Sequence, residues 1–257
     1  MILDRIFESK KREVARLKEM QPLSEIMRMA KDAEPARDFK RALVGADCSI
    51  IAEIKRRSPS KGRIRDDFNV IEIAETYEAN GAAAISVLTE REFFEGDCAY
   101  LKTVKKVSSL PVLRKDFIID PYQVYETKVL GGDALLLIAG VLDEYALKDL
   151  LLLAYSLGLF ALVEVHSEAD TIKAVASGAD IIGINNRDLK TFTTNIERSL
   201  AVAPLIPRDR VLVSESGIGS KADIDILMKA GIRVFLVGET LMRSGDIGAA
   251  LRELMGK

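Results

Sequence analysis

The sequence predicts an α/β protein whose main part is a (β/α)8 TIM barrel. Three observations predict this class. From residue 48 onward, eight short apolar runs rich in β-branched residues alternate with segments of helical period. The runs are apolar on both faces, which is typical of parallel strands covered by helices. Eight β-then-α units over about 210 residues also match the barrel in number and length.

The eight runs are predicted strands at 49–54, 83–88, 111–115, 134–138, 160–165, 181–185, 211–214 and 234–237. A doubly wound open sheet is the alternative architecture for an alternating chain of this kind. That fold favours a glycine fingerprint directly after the first strand, and the loop 58–62 does not carry one. We therefore expect the strands to close into a barrel.

Helix start and stop signals lie between several of these runs. Asp120 precedes a proline, which predicts a helix with proline at its first position, and the glycines at 131 and 132 predict its end. Ser220 and Asp223 have the spacing of a capping box. Apolar residues at 70, 73, 74 and 77 predict a further helix that ends at Gly81.

Residues 1–47 precede the first strand and are predicted to form an N-terminal helical extension. Apolar residues at 3, 6, 7, 14 and 17 trace one face of a helix. The charge run 8–13 is interpreted as the solvated face of that helix. We expect the extension to pack on the barrel, residues 48–257, so that the chain forms one domain overall.

Composition excludes several classes of function. The 257 residues include 37 basic and 39 acidic side chains, and a net charge of −2 predicts no general affinity for nucleic acid or membranes. Two cysteines without metal-binding spacing and a single histidine, His166, predict no metal site. No signal peptide is evident, and the longest uncharged stretch, 150–163, is shorter than the ~20 residues that a membrane-spanning helix needs. We expect a cytoplasmic protein.

Polar or small residues follow the apolar runs at equivalent places: Glu53, Lys55, Lys115, Glu164, Asn185, Arg187, Glu215, Ser216 and Gly238. In a barrel of this class the active site lies at the carboxyl ends of the strands, so these side chains should meet in one mouth. Glu53 and Lys55 are two residues apart and share one face of a strand. Lysines and carboxylates in such a site predict proton transfer, with acid and base roles separated by environment.

Two glycine-bearing loops follow the seventh and eighth strands and predict a phosphate site. Ser216 and Gly217 lie in the first loop, and Gly238 and Glu239 in the second. We expect the Glu239 side chain to turn away from phosphate while its backbone N–H contributes. Ser58, in the loop after the first strand, belongs to the basic rim of the same mouth.

Aromatic residues on the loops after the second and third strands, Phe93, Phe94 and Phe117, could hold an apolar part of a ligand or could cover local core. His166 follows Glu164 by two residues, and we expect it to orient neighbours rather than to act directly.

With these residues in place, the chain resembles the indole-3-glycerol-phosphate synthase family of tryptophan biosynthesis. The likeness covers essentially the whole chain and is carried by the segments IIAEIKRRSPSKG, SVLTEREFFEGD, PVLRKDFIIDPYQVYE, ALLLI, ALVEVH, IIGINNRDLKTF, VLVSESGI and FLVGETLM. The resemblance implies a carbon–carbon lyase that needs no metal or cofactor. Its reaction would be the ring closure of 1-(2-carboxyphenylamino)-1-deoxyribulose 5-phosphate to indole-3-glycerol phosphate, with loss of CO2 and water.

Position by position, the resemblance implies that Lys115 is the general acid of ring closure and Glu164 the base of dehydration. Lys55 resembles the cation that meets the substrate carboxylate and could also act as an acid, so the division of acid roles between the lysines stays open. The remaining matches imply substrate contacts at Glu53, Asn185, Arg187 and Glu215, ring contacts at Phe94 and Phe117, and phosphate contacts at Ser58, Ser216, Gly217, Gly238 and Glu239.

Two departures from the family pattern are mild: Asp97 follows Gly96 where a small hydroxyl residue is common, and Glu239 stands where serine is frequent. Rival enzymes are other phosphosugar barrels, phosphoribosylanthranilate isomerase and the tryptophan synthase α subunit. Neither Cys48 nor Cys98 stands where the isomerase would need a strand-end cysteine. A non-catalytic barrel that binds a phosphorylated metabolite is the alternative from another class. The partner implied is a small phosphorylated molecule, with no obligate protein partner.

Overall fold

The computed structural model describes residues 2–188 and 191–257, and its centre is a closed barrel of eight parallel strands. The strands are β1 (Ser49–Ile54), β2 (Ala84–Leu88), β3 (Val112–Lys115), β4 (Ala134–Ile138), β5 (Phe160–Val165), β6 (Ile181–Asn185), β7 (Val211–Glu215) and β8 (Val234–Val237). β1 pairs with both β2 and β8, with Ile51 opposite Ala84 on one side and Leu236 on the other. This closure confirms the barrel and excludes the open sheet.

Helices alternate with the strands along the chain. Nine of the described helices follow β1: α4 (Val70–Ala79), α5 (Ala99–Val107), α6 (Pro121–Val129), α7 (Glu144–Ser156), α8 (Glu168–Ala176), α9 (Glu197–Val202), α10 (Lys221–Lys229), α11 (Glu239–Arg243) and α12 (Ile247–Met255). A short 3-10 helix, Ala203–Leu205, follows α9, and a two-stranded hairpin, Arg57–Ser58 with Gly62–Arg63, follows β1.

The predicted helix signals are present as local hydrogen bonds. The Asp120 side chain accepts a hydrogen bond from the Tyr122 backbone N–H at the start of α6, with proline at the first position. Ser220 and Asp223 form the predicted capping box of α10. Gly131 follows α6 with a φ of 80°, a left-handed conformation that glycine adopts without strain. Local sequence therefore sets where these helices begin and end.

The side chains of the strands alternate between two apolar layers. Residues that point into the barrel, such as Ile51 and Leu113, form one buried cluster, and residues that point outward, such as Ile50 and Val112, form the layer beneath the helices. Because side-chain direction has a period of two, Lys115 points inward like Leu113. The same alternation directs its neighbours Arg114 and Asp116 outward.

The N-terminal extension consists of α1 (Ile2–Met20), α2 (Leu23–Lys31) and α3 (Phe39–Leu43). Phe39 and Leu43 are fully buried and pack against the inward residues of the barrel, whereas α1 and α2 contact α6. The predicted solvated charge run is wrong at one position, because Lys10 is 1% exposed. It is buried because it pairs with Asp116, a partner that lies far along the chain.

Within residues 2–188 and 191–257, no helix combines the length and apolar character needed to cross a membrane.

Candidate active site

A cavity of about 670 Å³ opens at the carboxyl ends of the strands. Phe93 and His166 are not among the residues that line it, but the fourteen residues predicted for catalysis or for substrate and phosphate binding all line it. Those residues are Glu53, Lys55, Ser58, Phe94, Lys115, Phe117, Glu164, Asn185, Arg187, Glu215, Ser216, Gly217, Gly238 and Glu239. Apolar residues such as Leu136 and Leu236 also face the cavity. A charged side chain among them is costly unless it has a partner of opposite charge. The closed barrel thus brings together groups that are spread over almost 190 residues of sequence (53 to 239).

Lys115 lies between two buried carboxylates at the base of the cavity. Its Nζ donates a hydrogen bond of 3.3 Å to Glu164 Oε2 and lies 3.6 Å from Glu215 Oε2. Burial acts to lower the pKa of Lys115, but Glu164 and Glu215 outweigh it and raise the pKa above its ordinary value. Lys115 is therefore charged and holds its proton.

The two carboxylates differ in protonation. Burial acts to raise the pKa of Glu164, but Lys115 and then His166 outweigh it and hold the pKa below its ordinary value. Burial raises the pKa of Glu215 to about 8; Lys115 opposes this rise, and Glu164 adds to it. Glu164 is thus an ionised carboxylate and Glu215 a neutral carboxyl at pH 7. Environments that differ in this way separate acid and base roles.

Two glycines make room for the carboxylates of Glu215 and Glu53, and the sequence interpretation missed one of these glycines. A Cβ added at Gly183 would overlap the Glu215 carboxylate and stand 3.1 Å from Leu162 Cδ1. A Cβ added at Gly238 would overlap the Glu53 carboxylate. Gly183 sits within an apolar strand, where a residue without a side chain signals close approach by another group.

Glu53 and Lys55 form an ion pair at the rim of β1, as their shared face predicts. The Lys55 Nζ lies 2.5 Å from Glu53 Oε1, and both side chains are largely buried. A Cβ at Gly238 would also come within 3.0 Å of the Lys55 ammonium. The pair therefore lies between the base of the cavity and the loop after β8.

The loops after β7 and β8 face each other across one end of the cavity. Ser216 and Gly217 both have left-handed backbone conformations, with φ of 67° and 75°. The Thr240 hydroxyl donates a hydrogen bond of 2.6 Å to the Ile218 carbonyl and ties the two loops together. A serine in this conformation is strained, and such strain is common at ligand sites.

Cations surround this end of the cavity, and the sequence interpretation named only some of them. Arg187 donates to Ser60 Oγ at 3.1 Å and to Glu239 Oε2 at 3.2 Å, and Lys61 Nζ lies 3.9 Å from Glu239 Oε1. The Glu239 side chain lines the cavity and is held by these two cations and by Arg243. That it turns away from a bound phosphate stays a prediction. Lysine and glycine in the loop 58–62 were the available signal for Lys61.

Aromatic rings form the opposite wall, and α1 contributes to it. The Phe94 and Phe117 rings have centroids 6.3 Å apart, and Phe7 meets the Phe117 ring edge-on at 5.6 Å. Leu3 and Ile6 of α1 also line the cavity. The extension is thus part of the site wall, which the sequence interpretation did not anticipate.

His166 lies beside the Glu164 carboxylate, and its orienting role stays a prediction. Its Nε2 lies 3.4 Å from Glu164 Oε1, and its backbone N–H donates to Asp170 Oδ2 at 3.1 Å. Among the described ranges 2–188 and 191–257, no group of three or more His, Cys, Asp and Glu side chains is placed to hold a metal ion. The chemical groups of the site are therefore ammonium, guanidinium, carboxylate, amide and backbone N–H.

Comparisons with solved structures find similar folds. A crystal structure of 3-hexulose-6-phosphate synthase superposes with a TM-score of 0.65 at 16% identity, covering 81% of this chain and 98% of that one. Thiamine phosphate pyrophosphorylase from Pyrococcus furiosus gives a TM-score of 0.61 at 17% identity over 85% of this chain and 96% of that one. These similarities concern the fold alone.

Sequence comparisons define the family. The family model described as indole-3-glycerol phosphate synthase matches residues 3–254. The protein of that name from Alkaliphilus metalliredigens is 50% identical over 255 residues, 99% of this chain and 98% of the relative. The one from Ruminiclostridium cellulolyticum is 48% identical over 260 aligned positions, covering 100% of this chain and 99% of the relative. The chain belongs to the indole-3-glycerol phosphate synthase family.

Proposed function

We propose that this chain closes the indole ring of 1-(2-carboxyphenylamino)-1-deoxyribulose 5-phosphate, releasing CO2 and water to give indole-3-glycerol phosphate. Family membership makes it a carbon–carbon lyase of tryptophan biosynthesis. The observation that carries the proposal is the Lys115 ammonium, hydrogen-bonded to ionised Glu164 in a cavity with cations at one end and aromatic rings at the other. A general acid and a general base thus lie side by side within reach of one substrate.

The two ends of the cavity match the two ends of that substrate. The phosphate would bind between the Ser216 and Gly238 loops, where Lys61 and Arg187 supply positive charge. The anthranilate ring would lie against Phe94 and Phe117. Anchoring both ends holds the flexible substrate in a bent, reactive conformation. The substrate therefore loses its conformational entropy on binding rather than in the chemical step.

In ring closure, the aromatic carbon that bears the carboxylate attacks the ribulose carbonyl carbon. Lys115 donates its proton to the carbonyl oxygen as the new carbon–carbon bond forms. The carboxylate then leaves as CO2, and the electron pair of the broken bond restores the aromatic ring. Lys55 meets the substrate carboxylate before it leaves, with Glu53 holding the ammonium in place.

Dehydration then removes the hydroxyl group formed from that carbonyl. Glu164 is ionised and takes a proton from the newly formed five-membered ring, while a lysine ammonium protonates the departing hydroxyl. Asn185 and His166 flank the base and keep it charged. Neither carboxylate oxygen of Glu215 has a hydrogen-bond partner among the described residues, although Oε2 lies 3.6 Å from the Lys115 ammonium. A substrate hydroxyl that reached this carboxyl group would supply a hydrogen-bond partner.

The direct test is fluorescence detection of the indole product from this substrate in the presence of EDTA. Turnover that matches the amount of enzyme added, and that is lost in Lys115→Ala, supports the proposal. Absence of turnover with tight binding of the substrate would contradict it and favour a metabolite-binding barrel. Turnover that stops only when EDTA is added would contradict the metal-free mechanism.

A further inference from the structure

We propose that Lys10 is a positioning residue for this reaction. Its buried ion pair with Asp116 ties α1 to the carboxyl end of β3 and holds Lys115 and Phe117 at the cavity. The inference rests on the proposed function for its kinetic consequence, although its structural consequence can be measured without substrate.

The ion pair is fully enclosed. Lys10 Nζ lies 2.8 Å from Asp116 Oδ1 and 2.5 Å from Glu13 Oε2, and the Lys10 and Asp116 side chains are 1% and 0% exposed. Burial acts to lower the pKa of Lys10, but Asp116 and Glu13 outweigh it and raise the pKa above its ordinary value. Both partners are therefore charged, and neither has access to water that could replace the other.

Asp116 passes this contact to the backbone beside the site. Its Oδ1 also accepts a hydrogen bond of 2.8 Å from the Phe117 N–H, and its Oδ2 accepts from Thr89 at 2.7 Å and from Arg114 at 3.2 Å. Lys10 is thus bound to the same carboxylate oxygen that orders the peptide after Asp116. Loss of the Lys10 ammonium would leave the buried Asp116 carboxylate with one cation fewer to balance its negative charge.

The alternation along β3 explains why this contact reaches Lys115. Arg114 and Asp116 point outward toward the helices, and Lys115 between them points inward to the cavity. Arg114 is anchored in turn by Glu126 of α6 at 2.8 Å. Lys115 is therefore held on both sides by buried ionic contacts on the outer face of the strand. Only the contact on the Phe117 side depends on the N-terminal extension.

On the face of α1 that carries Lys10, the residues N-terminal to it contact the site. Leu3 and Ile6 line the cavity, Phe7 packs on the Phe117 ring, and Lys10 follows at the next position of the same helical stripe. Helix attachment alone does not require a charge there, because apolar residues often replace a buried ion pair without loss of stability. A lysine at this position instead fixes one carboxylate at one place.

The test compares two lysines of α1. Lys10→Met removes the buried ammonium, and Lys18→Met removes a partly exposed one that lies 2.7 Å from Asp120 at the start of α6. Both contacts join the same helix to the same region, but only Lys10 reaches the carboxylate next to Lys115. We expect Lys10→Met to lower kcat about tenfold, because small displacements of reacting groups are costly. KM should rise as well, because Phe117 is held by the same carboxylate oxygen. Lys18→Met should keep both constants within about twofold of those of the unmodified chain.

A second variant covers the case in which Lys10→Met does not fold, since removing one partner of a buried pair is strongly destabilising. Lys10→Met/Asp116→Asn leaves no buried charge unpaired and keeps an oxygen for the Phe117 N–H. We expect its melting temperature to exceed that of Lys10→Met while kcat stays about tenfold low. Wild-type kcat in this double variant, or equal losses of kcat in Lys10→Met and Lys18→Met, would overturn the proposal.

Hydrogen exchange gives a readout that needs no substrate. Backbone amides of residues 112–118 should exchange faster in the double variant than in the unmodified chain, and at an unchanged rate in Lys18→Met. Equal exchange of this segment in all three proteins would overturn the positioning role. If the unmodified chain showed no turnover, the proposed function would fail, and exchange alone would decide the role of Lys10.

Discussion

The Lys115 ammonium of β3 donates a 3.3 Å hydrogen bond to the Glu164 carboxylate of β5, and both side chains are almost completely buried. The strands that carry them are not neighbours, since β4 lies between them in the barrel. The contact therefore joins two strands that do not pair with each other. The roles proposed for this pair, general acid and general base, predict the effect of removing the lysine.

Replacement of Lys115 by alanine should lower kcat by ~10² or more, the usual scale for a general acid. The fold should persist, because Glu164 and Glu215 can take up protons once the ammonium is gone. Steady-state fluorescence kinetics and a thermal melt measure the two effects. Lys102→Ala, on the exposed face of α5, is the matched control. Near-normal turnover in Lys115→Ala would remove this lysine from the acid role.

A methyl group at Gly183 should lower activity although no titratable residue is substituted. The added Cβ of Gly183→Ala would overlap the Glu215 carboxylate and push it from its place. We expect kcat/KM to fall at least about tenfold, a scale set by misplacement of a reacting group. Gly245→Ala is the control, because its Cβ would meet no atom within 4 Å. Unchanged kinetics in Gly183→Ala would show that Glu215 need not occupy this position.

Neutralising Glu239 should tighten substrate binding. The Glu239 carboxylate pairs with Arg187 and Lys61, the cations that are proposed to bind the phosphate. Glu239→Gln keeps an oxygen that can accept a hydrogen bond from Arg187 but removes the negative charge. We expect KM to fall several-fold and inorganic phosphate to inhibit at lower concentration, since like charges then no longer oppose each other. Arg187→Met should raise KM instead. A higher KM in Glu239→Gln would place the phosphate elsewhere.

Glu215 should make stability depend on pH in the direction opposite to an ordinary paired carboxylate. Burial raises its pKa to about 8 in the folded chain, from 4.5 as the ordinary value. Between these two pH values the folded chain holds a proton that the unfolded chain releases, so the Glu215 contribution to stability is full at low pH and is lost as pH rises through 8. The loss is at most about 1.4 kcal/mol per pH unit.

The variant that tests this is Glu215→Gln, which no longer titrates. Its melting temperature should match that of the unmodified chain near pH ~5 and exceed it increasingly toward pH ~8, while its turnover falls. Such an exchange of activity for stability is common at catalytic sites. A constant difference in melting temperature between the two proteins across this range would exclude the raised pKa.

Sequence patterns predict the barrel elements well because the signals involved are local. Buried parallel strands are short apolar runs, and the observed β1, β4, β5, β6 and β8 have the predicted bounds. β2, β3 and β7 differ by one residue at one end. Helix caps such as Ser220 act within one turn, so the sequence contains both partners. The strand-end rule then assembles the candidate site from positions that are far apart in the chain.

Contacts between distant segments are what these patterns did not contain. Lys10 interrupts an apolar stripe, which was a signal of burial, but its partner Asp116 lies 106 positions away. The pairing of Glu239 with Arg187 was not anticipated, because it depends on two loops that meet only in the folded chain. The need for glycine at position 183 is evident only in the folded chain, where the Glu215 side chain from the next strand fills the space that a Cβ would take.

The amino-acid sequence by itself thus determined the (β/α)8 class, the eight strands, the helix caps and fourteen of the residues that line the cavity. Each of these follows from side-chain period, local hydrogen bonding or position at a strand end, which neighbouring residues specify. The tertiary structure alone decided which carboxylate is ionised and how α1 is attached to β3. Both depend on desolvation and on charges brought within about 4 Å of each other, and only the folded chain creates those distances.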